Sequence, residues 1–105
     1  MRKTQNTKED AESLARNSIK KLESMTQEIH RISLSYDRFD VPIIGEACID
    51  NAEDFINIID EINYRTFQYM SWNMQEQLFN IFKNFLISFI RVVIQLLKKE
   101  IDRFK

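Results

Sequence analysis

The sequence predicts an all-α fold, an antiparallel three-helix bundle with long, coiled-coil-like helices. The only proline and the only glycine, Pro42 and Gly45, sit together in one short stretch. Apolar residues recur at helical spacing on either side of it, and blocks of opposite charge are placed so that a folded-back chain brings them together. At 105 residues the chain makes one domain with one core, and partners can matter to its stability.

Helix one is expected over about 8–39. Ala11, Ala15, Ser18, Leu22, Met25, Ile29, Ile32, Tyr36 and Phe39 fall at alternate steps of four and three, a narrow apolar stripe on a charged rod. Thr7 can cap it, with Asp10 three residues on, and the first six residues are expected to fray. A break over 40–45 follows. Helix two, about 45–70, carries Cys48, Ala52, Phe55, Ile59, Ile62 and Tyr69 on one seam, broadened by Ile49, Ile56, Phe67 and Met70, with Glu46, Asp50, Glu53, Asp54, Asp60 and Glu61 opposite.

No second Gly or Pro forbids one continuous rod from Gly45 to the C-terminus, but two features favour a fold-back. Asn73-Met74-Gln75-Glu76 has capping-box spacing, and Ser71 and Trp72 can make a tight link. Residues 1–40 carry eight basic and seven acidic side chains, 41–78 one and seven, and 79–105 six and two. A hairpin near Trp72 sets acidic Glu46–Asp54 beside basic Arg91–Lys99. Such pairs, worth about 0 to 1 kcal/mol each when exposed, select an arrangement more than they stabilise it.

Helix three, about 74–103, carries two seams. Leu78, Phe82, Phe85, Phe89, Val92 and Leu96 form the first; Ile87, Ile90, Ile94, Leu97, Ile101 and Phe104 form the second, about 130° around the helix, with Leu86 and Val93 between. Exposing half a dozen such side chains costs about 10 kcal/mol, comparable to the whole stability of a small domain. The second seam therefore calls for a cover: helix two of the same chain, another copy of the chain, a partner protein or a non-protein apolar surface. A lone chain with the row from Ile87 to Ile101 facing water would contradict that requirement. The candidate interaction surface is Trp72, Ile87, Ile90, Ile94, Leu97 and Ile101, with Trp72 read either as a staple over the hairpin or as an exposed anchor.

Composition removes several function classes. Near-neutral charge gives no footprint for nucleic acid. One cysteine, Cys48, makes no internal disulfide, and the polar N-terminus lacks a secretory leader, which together point to the cytoplasm. Phe79–Leu97 is long enough to cross a bilayer, but Asn80, Lys83, Asn84, Arg91 and Gln95 interrupt it, so no transmembrane segment is expected. His30 has no companion at catalytic spacing, Cys48 has no base, the acids of helix two lack the Glu-x-x-His of a di-metal bundle, and a single glycine builds no phosphate loop. No catalytic residue, metal site or cofactor is expected, and an enzyme is the weakest class.

The run Asp50-Asn51-Ala52-Glu53-Asp54-Phe55-Ile56, then Trp72, then Lys83-Asn84-Phe85-Leu86, resembles the central helices of the phasin family. The resemblance implies a small non-enzymatic helical protein that self-associates through coiled coils and coats storage granules with amphipathic helices. The alternative expectation is a soluble adaptor, accessory or chaperone-like subunit that docks helix three into a partner protein.

Overall fold

The computed structural model describes residues 7–104, and every regular element among them is helical. Helix α1 runs Thr7–Leu34, a 3-10 turn covers Tyr36–Arg38, α2 runs Val41–Glu61, α3 is a single turn at Tyr64–Phe67, and α4 runs Trp72–Arg103. The three long helices form the all-α bundle, 62 Å long and 22 by 18 Å across. The chain reverses after α1 and again around α3, so α1 and α4 run parallel and α2 antiparallel to both. Thr7, expected as the cap, is itself the first helical residue, and the fraying expected of residues 1–6 lies outside the described residues.

α1 follows its predicted stripe. Ala11, Ala15, Ser18, Leu22, Met25, Ile29 and Ile32 are all buried. The small residues at the start and the larger ones beyond let α4, its main neighbour, pack along the whole length. The helix stops at Leu34 rather than near 39. Ser35 donates its N–H to the Ile32 carbonyl at 3.2 Å, and Arg38 donates to Ser35 at 2.9 Å, which tightens the chain into the turn. Phe39 then packs against the core from outside the helix.

The break lies at 35–40, ahead of the proline, and not at 40–45. Asp40 is the N-cap of α2 in an extended conformation, its carbonyl accepting from Ile43 and Ile44 at 3.0 and 3.1 Å, and Pro42 sits in the first turn. The N–H that proline lacks is one of the four that have no acceptor at a helix start, so Pro42 opens α2 instead of interrupting the chain. Gly45 is an ordinary helical residue with open space around its α-carbon.

α2 ends at Glu61, well short of 70, because Asn63 offers the backbone an alternative. Its side-chain oxygen accepts from the Thr66 N–H at 3.0 Å and starts α3. The cap of α4 is Ser71 and not Asn73: Ser71 Oγ accepts from the Met74 N–H at 3.2 Å. Glu12 of α1 fixes this cap by accepting the Ser71 N–H at 2.7 Å, while Gln75 Nε2 reaches back to the carbonyls of Phe67 and Met70. At the other end Gln95 Nε2 donates to Ser33 and Lys99 Nζ donates to Phe39, both to carbonyls. The lysine joins the end of α4 to the turn after α1.

The buried seam of α2 differs from the expected one. Ile44, Cys48, Asn51, Ile58 and Ile62 are buried, with Phe55 partly so, whereas Ile49, Ile56, Ile59 and Tyr69 are exposed. The polar Asn51 conceals this register in the sequence. Its Nδ2 is satisfied by the Ala47 carbonyl at 2.8 Å and lies 3.5 Å from Glu28 Oε1 on α1. Phe55 joins α2 to α4, stacking on Phe85 at 4.9 Å and meeting Phe82 edge-on at 5.5 Å.

Two outcomes test this packing. Leu22→Ala, at a fully buried site, is expected to lower unfolding free energy by about 2 to 5 kcal/mol in urea titration. Gly45→Ala is expected to raise it by about 0.5 to 1 kcal/mol. A loss on Gly45→Ala would mean that Gly45 serves a turn and not a helix interior.

Candidate interaction surface

α4 presents three sectors. At about 100° per residue, Leu78, Phe85 and Val92 mark the buried sector, with Phe82, Phe89 and Leu96 on its α2 side. Asn80, Asn84, Gln95 and Lys98 mark a polar sector. Between these lies the second apolar seam, and it is exposed: Ile87, Ile90, Ile94, Leu97 and Ile101 are each 45% to 56% accessible. Helix two of the same chain does not cover this row, contrary to one of the expected covers. α1 and α2 both lie on the first seam, because two neighbours fill a single sector of α4 and the second seam is turned about 130° away. The row thus faces water in the lone chain, which contradicts the requirement for a cover as far as the molecule itself goes; any cover must come from outside the chain.

Trp72 does not staple the hairpin. It is 77% exposed in the first turn of α4, where Ser71 and Glu12 supply the cap without it. It stands in line with the exposed seam, at seven-residue steps from Phe79 and Leu86, both also exposed. Phe79 touches Phe67 of α3 edge-on at 5.6 Å, which links the surface to the corner of the bundle. Phe79 and Leu86 were not among the expected surface residues, although the steps from Trp72 to Phe79 to Leu86 are visible in the sequence.

α2 adds a second apolar row. Ile49, Ile56 and Ile59, which the sequence reading placed on the buried seam, are solvent-accessible, as is Pro42, at helical spacing with Gly45 and Ala52. An open groove of about 530 Å³ separates this row from Leu96, Leu97 and Glu100 of α4, with Val41, Pro42, Gly45, Glu46 and Ile49 on its α2 wall, so two carboxylates stand among its apolar side chains. The two rows form one face, bounded by charge. Glu46, Glu53 and Asp60 edge it on α2; Arg91 and Lys98 edge it on α4. Arg91 sits beside Thr26, Gln27 and His30, on the flank of α4 that faces away from α2. The acidic and basic blocks are therefore on opposite borders of the face, not set against each other as the hairpin had suggested.

The chemistry available elsewhere is slight. His30 is exposed, and among the described residues no three His, Cys, Asp or Glu side chains come together as a metal site would need. Cys48 is buried against the core, and burial pushes its thiol above the ordinary range, which suppresses the thiolate. By length and composition α4 is apolar enough to cross a bilayer, with Lys83 and Arg91 inside its apolar stretch.

No protein-family model, no curated protein and no solved structure matches this chain.

Ile90→Glu with Ile94→Glu is expected to leave helicity intact by circular dichroism, whereas Val92→Glu, at a fully buried site between them, is expected to unfold the chain. Unfolding by the first pair would make the second seam core. The Cys48 thiol, raised on folding, favours the native state below the ordinary thiol range and ceases to do so as pH rises through its folded value. Alkylation of native protein at pH 8 is expected to be much slower than of urea-unfolded protein; equal rates would contradict the burial.

Proposed function

We propose that this chain is a non-enzymatic interaction protein, acting in the cytoplasm, that works through the apolar face of α4 and α2 by self-associating or by coating an apolar surface. The single observation that carries the reading is the exposed apolar row from Trp72 through Phe79 and Ile90 to Ile101, crossed by Glu76 and Lys83, on a helix whose opposite side is already packed. Scattered exposed apolar residues are normal in soluble proteins, but an apolar stripe of this length along one helix marks a contact surface. The phasin resemblance points in the same direction, although the residues that carry it (Asn51, Phe55 and Phe85) are packing residues in the bundle, so it supports the helical frame more than granule binding.

A second reading, an adaptor that docks into a partner protein, draws on Trp72. An exposed tryptophan at the head of an apolar row is the kind of side chain that anchors a helix in a pocket.

Light scattering and hydrophobic-dye binding on the purified chain test the proposal. Expected is an oligomer, or a monomer that binds dye or lipid vesicles, with the response removed by Ile90→Glu with Ile94→Glu while helicity is kept. A monodisperse monomer at micromolar concentration that binds neither dye nor vesicles would overturn it.

A further inference from the structure

We infer that the occupant of this face is a second copy of the same chain, related by a two-fold axis parallel to the helices, so that α4 of each copy lies on α2 of the other. The inference rests on the reading of the face as a contact surface and adds what covers it and how.

Charge selects both the partner and the geometry. α2 carries six acids and no base, and three of the acids line one border of the face; Arg91 and Lys98 line the other. An anionic lipid surface would be repelled along the whole α2 border. A second copy instead supplies both signs. A two-fold axis lying in the face and across the helices would set acid border on acid border. A two-fold axis along the helices exchanges the borders and places α2 of one copy against the basic border of the other.

The heights agree with the second arrangement. Phe55 lies level with Phe82 and Phe85, and Ile49 lies across the groove from Leu96 and Leu97. Glu46 is therefore within about one helical turn of Lys98, Glu53 of Arg91, and Asp60 of Lys83. An axis along the helices preserves these heights, so Glu46 and Glu53 on one border meet Lys98 and Arg91 on the partner's, with Lys83 standing within the apolar row.

The size is sufficient. The 21 residues of α2 span about 32 Å, and two helices side by side are about 20 Å wide, so each copy offers on the order of 600 Å². About 1,200 Å² in total reaches the lower bound of specific, stable interfaces, and α4 continues beyond α2 at both ends. The axis then runs along the groove between α2 and α4, and Ile49 on its α2 wall lies under the partner's α4 row.

Sedimentation equilibrium of the full chain, with distances between spin labels at Asn73→Cys in a Cys48→Ala background, tests the inference. Expected is a dimer with labels within about 30 Å, since an axis along the helices keeps both labels at one end; an axis across them separates the labels by about 50 Å. Glu46→Lys with Glu53→Lys is expected to weaken the dimer about tenfold or more, and adding Arg91→Glu with Lys98→Glu to restore it. All four positions are exposed, so these variants remain informative if changes to the apolar row impair folding. A dimer with labels about 50 Å apart, or without charge-swap rescue, overturns the arrangement. A monomer at 100 µM, about a hundredfold above a micromolar Kd, overturns the second copy. If that monomer still binds dye or vesicles, the contact-surface reading stands alone; if it binds neither, both fall.

Discussion

The structure depends on one geometric constraint: a three-helix bundle covers only one sector of each helix, and α4 is apolar over two. α1 and α2 converge on Leu78, Phe85 and Val92, and the packing there is complete. What remains, the row through Ile90 and Leu97, is set by the same 3.6-residue repeat and no rotation of α4 can hide both seams at once. Turning the helix to bury Ile90 would expose Phe85. The exposed face is therefore a consequence of the sequence of α4, not of a loose fold.

The polar contacts hold the bundle in this register and leave the face free. Glu12 clamps the start of α4 to α1, Lys99 clamps its end to the turn after α1, and Asn51 marks the buried side of α2. All three lie away from the apolar face. The bonds from Glu12 and Lys99 set the height and rotation of α4 relative to α1, while Asn51 bonds within α2 to Ala47 and approaches Glu28 of α1 only at 3.5 Å. The face thus comes as a preformed surface, which lowers the ordering cost of whatever covers it.

Much of this was legible in the sequence, and the failures share a cause. The α1 stripe and the two seams of α4 were readable because long helices repeat their pattern many times. The end of helix one, the start of helix two and the cap of α4 were misplaced because Pro42 was read as a breaker when a proline in a first turn is a starter, and because Ser71 and Asn63 act through hydrogen bonds that neighbouring patterns mask. The seam of α2 was rotated in the reading because Asn51, a polar residue, occupies a core position and Ile49 and Ile56 occupy outer ones. Hydrophobicity alone cannot separate a core row from a contact row. That ambiguity is also why Trp72 was left between staple and anchor until its exposure was known.

Side-chain oxidative footprinting across a concentration series tests the central claim most directly, because it reports on the face itself. The account predicts that Trp72, Phe79, Ile90 and Leu97 lose reactivity together as concentration rises from about 1 to 100 µM, a range bracketing micromolar association, while exposed Leu34, at the end of α1, stays constant. Reactivity of the four that is unchanged throughout, in a chain that stays folded, would show that the second seam of α4 faces water in solution and would contradict the account.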